Sequence, residues 1–302
     1  MPPFAFYKAC RGGDLATVMN ALSADDPSAR PSTEELAKGL LSATTERHYE
    51  VISLLLANGA SIPDGLPLSM ADNLTGDPSL LRVFLEHGLN PNTPLIVSHM
   101  VHHMGSLLGY DTLRHPGRLD IKLKQKHRIC KDIECTKLLL QHGADPNLAG
   151  RIRDWHKPRD ATPLEGALFY GNLEIAELLL ASGAKLLPDH LFALMAPRVS
   201  GTEEKVRWVL RNGIDVNTPH PEYGTALHYV VRYHKLGHLK LLLDEGADPL
   251  ARPQVPHWAG MTPRELLESR EEDQAAHERN KEYRELLLAA EAKVTGVGKV
   301  GE

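Results

Sequence analysis

Three imidazoles fall within five residues at His99, His102 and His103, in the stretch SHMVHHMG. On a helix, positions i, i+3 and i+4 share one face. Histidines so placed could hold a zinc ion if His115, His127, Cys130 or Cys135 completed a four-ligand shell. The same cluster, left without metal, would titrate near neutral pH. A second chemically loaded stretch is LDIKLKQKHRICK at 119 to 131, with Lys122, Lys124, Lys126, Arg128 and Lys131. It has the composition of a nuclear signal or an RNA-contacting patch. It has no interleaved aromatics on which bases could stack, so a solvated helix or loop explains it more simply. Two further stretches combine tryptophan with basic or histidine side chains: RIRDWHKPRD at 151 to 160 and PQVPHWAG at 253 to 260.

Catalytic signatures are absent in the form most often read from sequence. There is no H-E-x-x-H, P-loop or G-x-S-x-G. The segment from Gly296 to Gly301 satisfies G-x-G-x-x-G, but no strand precedes it and no helix follows it to hold a pyrophosphate. Residues 294–302 are expected to be a flexible tail. Neither catalytic residues nor a resident metal or cofactor are assigned.

Which of these stretches matters depends on what positions them. The 302 residues are 42% hydrophobic and 24% charged, with 39 acidic against 34 basic side chains and a net charge of −5. That balance drives the molecule as a whole onto neither nucleic acid nor anionic membrane. No apolar run approaches the roughly 18 residues of a membrane span, and the N-terminus lacks a secretory apolar core. Cys10, Cys130 and Cys135 form no C-x-x-C. A protein of the cytoplasm or nucleus with reduced thiols is the expectation. Aromatic residues make up only 5% of the chain, so their placement carries information.

One phrase recurs six times: LLLANGA, FLEHGLNPN, LLLQHGADPN, LLLASGA, VLRNGIDVN and LLLDEGADP. Each is a leucine-rich helix end closed by a glycine, at Gly59, Gly88, Gly143, Gly183, Gly213 and Gly246, followed by an Asp-Pro or Asn turn. Upstream lie ATPLEGA at 161 to 167, GTALHYV at 224 to 230, Asn92-Thr93-Pro94-Leu95 and Met261-Thr262-Pro263. Threonine at an N-cap with proline at the first helical position is a helix start. Each unit therefore reads as turn, helix, tight turn, helix, glycine.

This pattern resembles the ankyrin repeat, whose signature T-P-L-H-x-A recurs at a period of about 33 residues. The resemblance implies an all-α fold, an ankyrin-repeat solenoid of stacked helix-turn-helix units with short finger loops. It implies a single domain over 1–293, with units at about 4–30, 31–62, 63–92, 93–147, 148–187, 188–217, 218–250 and 251–293. The fourth carries an insertion at about 104–131, and its first helix is expected from residue 96. Insertions in a stack are forced into loops, and such loops commonly carry binding.

The function implied is a protein–protein interaction module or scaffold, engaging its partner through a concave groove and the fingers. The expected partner-facing set is Arg151, Arg153, Trp155, His156, Lys157, Tyr223, His234, His257 and Trp258, with His99, His102 and His103 at the far end. Tryptophan, tyrosine and arginine are the usual anchors of interfaces. The basic residues around Trp155 would suit an acidic partner, whereas nucleic acid and membrane are not expected. Two alternatives stay open: a long loop can fold its tryptophan back into a small satellite core, and the 105–131 insertion could cover a catalytic or small-molecule pocket as a lid.

Overall fold

The computed structural model describes residues 3–93, 95–96, 126–153, 158–170, 173–196, 203–270 and 274–296. The expectations for His99, His102, His103, Trp155, His156 and Lys157, and for most of the insertion, lie outside the described residues. Two compact units are present, Met1–Lys185 and Leu186–Glu302, and both are helical.

The first unit begins with helix pairs α1 (Pro3–Gly12) with α2 (Leu15–Leu22), and α3 (Thr33–Glu46) with α4 (Tyr49–Ala57). After β1 (Leu66–Pro67) come α5 (Leu68–Thr75) and α6 (Pro78–Glu86), then β2 (Leu95–Ile96) and α7 (Lys126–Gln141). A hairpin of β3 (Gly150–Arg153) and β4 (Pro158–Ala161) leads to α8 (Pro163–Tyr170) and α9 (Leu173–Ala181). First helices pack on first helices, α1 on α3 on α5, and second helices on second helices, α2 through α4, α6 and α7 to α9. The core lies between these two layers, with Phe6, Leu40, Ile52, Leu55, Leu74, Leu81 and Phe84 fully buried.

The second unit holds α10 (Asp189–Leu194), α11 (Glu203–Arg211), α12 (Ala226–Arg232), α13 (Leu236–Asp244), α14 (Pro263–Glu268), α15 (Gln274–Arg279) and α16 (Lys281–Thr295). It repeats the two-layer plan, α10 on α12 on α14 and α11 on α13 on α16.

Local chemistry explains where the helices stop. All six phrase glycines have φ between 83° and 104°. A Cβ at any of them would meet nothing within 4 Å, so the requirement is one of backbone conformation and not of space. At Gly59 the amide donates to Leu56 O and the next amide, of Ala60, to Leu55 O. That pair of bonds is the Schellman closure, and the other five glycines repeat it.

Helix starts are less uniform. Thr262 forms a full capping box with Glu265, and Thr162 accepts from the Glu165 amide. Thr225 makes no cap bond, because its hydroxyl pairs instead with His228. The helix expected from residue 96 does not begin there. Leu95 and Ile96 are extended and pair in parallel with Leu66 and Pro67.

Asparagines in the exit turns staple neighbouring pairs together. Asn92 Nδ2 donates to Gly143 O (3.0 Å) and its Oδ1 accepts from Asp145 N (2.8 Å). Asn147 does the same to Gly183 O (2.9 Å) and from Lys185 N (2.8 Å), and Asn217 to Gly246 O and from Asp248 N. Each thereby satisfies carbonyls and amides that the helix end leaves open. Replacing Asn147 by alanine removes two such bonds at about 1 kcal/mol each, so a loss of about 2 kcal/mol is expected in urea unfolding. A change within about 0.5 kcal/mol would show that water replaces the staple without cost.

Candidate functional site

Two fingers of the second unit build the site. The first is a tight turn in which His220 and Gly224 exchange both backbone bonds, at 2.7 and 3.0 Å. Gly224 sits at φ 70°, where an added Cβ would come within 2.7 Å of Pro253 and 3.3 Å of His228. Only glycine allows the first finger to lie this close to the second. Within the turn, Tyr223 stacks on His220 (4.6 Å between centroids) and meets Tyr229 edge-on at 5.1 Å. Tyr229 in turn contacts Tyr233 at 4.6 Å and Phe192 at 5.7 Å. A chain with few aromatics thus gathers five rings here, and such pairs contribute beyond the area they bury. Burial pushes the phenols of Tyr229 and Tyr223 above their ordinary values.

The second finger runs from Arg252 to Met261. Val255, Trp258 and Leu266 form a small core with Met261 packed against it. Arg252 holds the finger's base, with both guanidinium nitrogens on Glu265 (2.7 and 2.8 Å) and one also donating to Gly260 O. Trp258 is only 8% exposed, and its indole Nε1 is buried without an acceptor. An orphaned donor of this kind costs about 1–3 kcal/mol.

Between the fingers and the end of α12 lies a cavity of about 660 Å³. Its walls include Tyr223, Arg232, Tyr233, His257, Trp258 and Arg270, with Glu222 as a carboxylate at the edge. The Arg232 guanidinium lies over the Tyr233 ring, 5.5 Å from its centroid. His234, in a left-handed conformation at φ 53°, packs edge-on against Tyr283 at 5.9 Å. Burial lowers its pKa, and the positive charges of Arg270, Arg232 and Arg279 lower it further.

Of the residues proposed from sequence, the structure brings Tyr223, His257 and Trp258 to one cavity. His234 is not in its lining but shares its positive field. Arg151 and Arg153 belong to the first unit's two-stranded ladder, where the backbone register sets Arg151 opposite Asp160 and Arg153 opposite Pro158. Sequence reasoning missed Arg232, Tyr233 and Arg270. The only available signal was that Arg232 and Tyr233 immediately precede His234 at the end of a repeat-like helix.

Chemically, the cavity can bind with aromatic and cationic groups. Its serine hydroxyl, Ser269 Oγ, donates to Leu266 O (2.9 Å), so it is not held by a base as a nucleophile would be. Among the described residues no group of three His, Cys, Asp or Glu side chains is placed to hold a metal ion. Among them, too, no helix is long and apolar enough to cross a membrane.

Comparison with known proteins finds a family model, the ankyrin repeat, over residues 224–253, the stretch from the first finger's glycine into the second finger. Dynein axonemal heavy chain 12 of Bos taurus is 28% identical over 226 residues, covering 68% of this chain and 63% of that protein. Ankyrin repeat and SOCS box protein 14 of Mus musculus is 31% identical over 129 residues, covering 41% of this chain and 22% of that protein. The chain therefore spans less than two thirds of either relative's length. With the family match lying on α12, the glycine-closed α13 and the finger that follows, the chain carries an ankyrin repeat at residues 224–253.

Proposed function

We propose that this chain is a protein-binding adaptor whose partner docks on the finger face of the second unit. Ankyrin repeats are in general protein–protein interaction modules. The observation that carries the reading is the cavity of about 660 Å³, where Tyr223, Tyr233, His257 and Trp258 converge beside two arginines. Aromatic and arginine side chains around a partly enclosed space are what interface anchors need. Arg151 and Arg153, on the paired strands Gly150–Arg153 and Pro158–Ala161 of the first unit, are proposed separately as partner-facing residues.

Site-specific photocrosslinking tests this directly. A benzophenone amino acid placed at exposed His257 should yield a discrete protein adduct in cell extract, and the same group at exposed Arg211, away from the cavity, should yield none. Equal labelling from both positions, or none from either, would remove the finger face as a docking site.

A further inference from the structure

We infer that the cavity between the fingers takes an acidic side chain from its partner, an aspartate or glutamate directly beside an apolar residue. This inference rests on the docking reading above and specifies its occupant.

The charge around the cavity argues for it. Three other arginines of the second unit are ion-paired: Arg207 with Glu245 (2.6 Å), Arg252 with Glu265 (2.7 Å) and Arg264 with Glu268 and Glu291 (both 2.9 Å). Arg232 differs. It is half-buried on the cavity wall, its guanidinium lies on the Tyr233 ring, and it has no carboxylate partner among the described residues. A guanidinium set over a ring face gains a cation–π contact without using its N–H donors, which stay open to a carboxylate. Arg270 also lines the cavity, where Glu222 is the carboxylate among the described lining residues. His234 registers the resulting field through both arginines.

The remaining wall argues for an apolar neighbour. Tyr233, Trp258, Met261 and Leu266 line the cavity together. A peptide laid against this wall brings an apolar side chain to the aromatic and aliphatic surface. A bare anion such as free phosphate would use the arginines and leave the apolar wall wet. An aspartate or glutamate next to leucine, isoleucine or phenylalanine uses both.

The test is selection of a random heptapeptide library displayed on phage, on the full chain and on its Arg232→Ala and Arg270→Ala variants. Both arginines are at least partly solvent-exposed, so the variants should fold, which circular dichroism checks. Enrichment of peptides pairing Asp or Glu with an adjacent apolar residue is expected on the parent chain. The selected peptide, fluorescein-labelled, should bind about tenfold more weakly to Arg232→Ala, partly recover with Arg232→Lys, and weaken several-fold when salt rises from 50 to 300 mM. Its Asp→Asn form should bind no better to the parent than the acidic form does to Arg232→Ala. Enrichment of neutral or basic peptides, no enrichment, or acidic peptides that bind the variants unchanged would overturn the inference. Crosslinking from position 257 would in those cases still report on docking separately, so the two failures are distinguishable.

Discussion

Trp258→Ala is expected to destabilise the second unit by about 3–5 kcal/mol, whereas Trp258→Phe should cost less than half as much. The indole is 8% exposed and packs on Val255, Leu266 and Met261, on one wall of a cavity that is already open. Truncation to a methyl group would join the vacated volume to that cavity and leave the small core under the finger without its largest member. Phenylalanine keeps a ring on Val255 and Leu266. It also deletes an N–H that is buried without an acceptor, and the relief, about 1–3 kcal/mol, offsets part of the lost area. Urea unfolding followed by circular dichroism measures both variants. If Trp258→Ala lies within about 1 kcal/mol of the parent, the finger does not depend on this packing and the tryptophan is available to a partner. With the expected loss, weakened binding by Trp258→Ala would not identify a contact, because the finger itself would have changed. Tyr223 and His257, which stand nearer to solvent, are then the cleaner probes of the interface.

How much was readable in advance follows from how far each device reaches along the chain. The six glycines were legible because a Schellman closure spans only six residues and demands a left-handed backbone that glycine adopts without penalty. Thr162 and Thr262 were legible as caps for the same reason. Thr225 was not, since its hydroxyl was claimed by His228 and not by the helix start. Nor was the extended Leu95–Ile96, which is set by pairing with a segment some thirty residues earlier. The exit-turn asparagines were visible as turn residues, but the carbonyls they reach belong to the next glycine turn, so sequence showed the residue and not the staple. The site itself divides in the same way. Its tryptophan, histidine and finger tyrosine stood out as aromatics in inserted or turn segments. Arg232 and Tyr233 at the end of α12 and Arg270 after α14 come from two places that only the packing of α12 and α14 brings together. Whether Trp258 would turn outward or inward was likewise a tertiary question, answered by the apolar faces of Val255 and Leu266.

The second large effect centres on His228, which is fully buried and joins the two fingers from beneath. Its Nδ1 lies 2.8 Å from Thr225 Oγ and its Nε2 lies 2.9 Å from the carbonyl of Met261. A carbonyl can only accept, so Nε2 carries the proton and Nδ1 accepts from the threonine hydroxyl. The ring is therefore neutral and doubly satisfied, one bond on its own helix and one on the base of the second finger. His228→Ala should cost roughly 3 kcal/mol, from lost packing and two unpaired partners at about 1 kcal/mol each. Acidity should act through the same ring. Burial lowers its pKa below the ordinary 6.5, and the bond to Met261 only partly opposes this. Below about pH 6.5 the unfolded chain therefore binds a proton that the folded chain resists, and stability falls as pH falls. The contribution is fully present above that pH and is lost on acidification. Measured between pH 7.5 and 5.5, the parent should lose stability more steeply than His228→Gln, by at most about 1.4 kcal/mol per pH unit for one proton. His234, lowered in the same direction, leaves a residual slope in the variant. Equal slopes in the two proteins would place the acid sensitivity elsewhere. Because Met261 O belongs to the finger that carries Trp258, protonating His228 in the folded chain would loosen one wall of the cavity, so partner affinity should fall on acidification, but only below the lowered pKa of the folded ring, at lower pH than the stability loss begins.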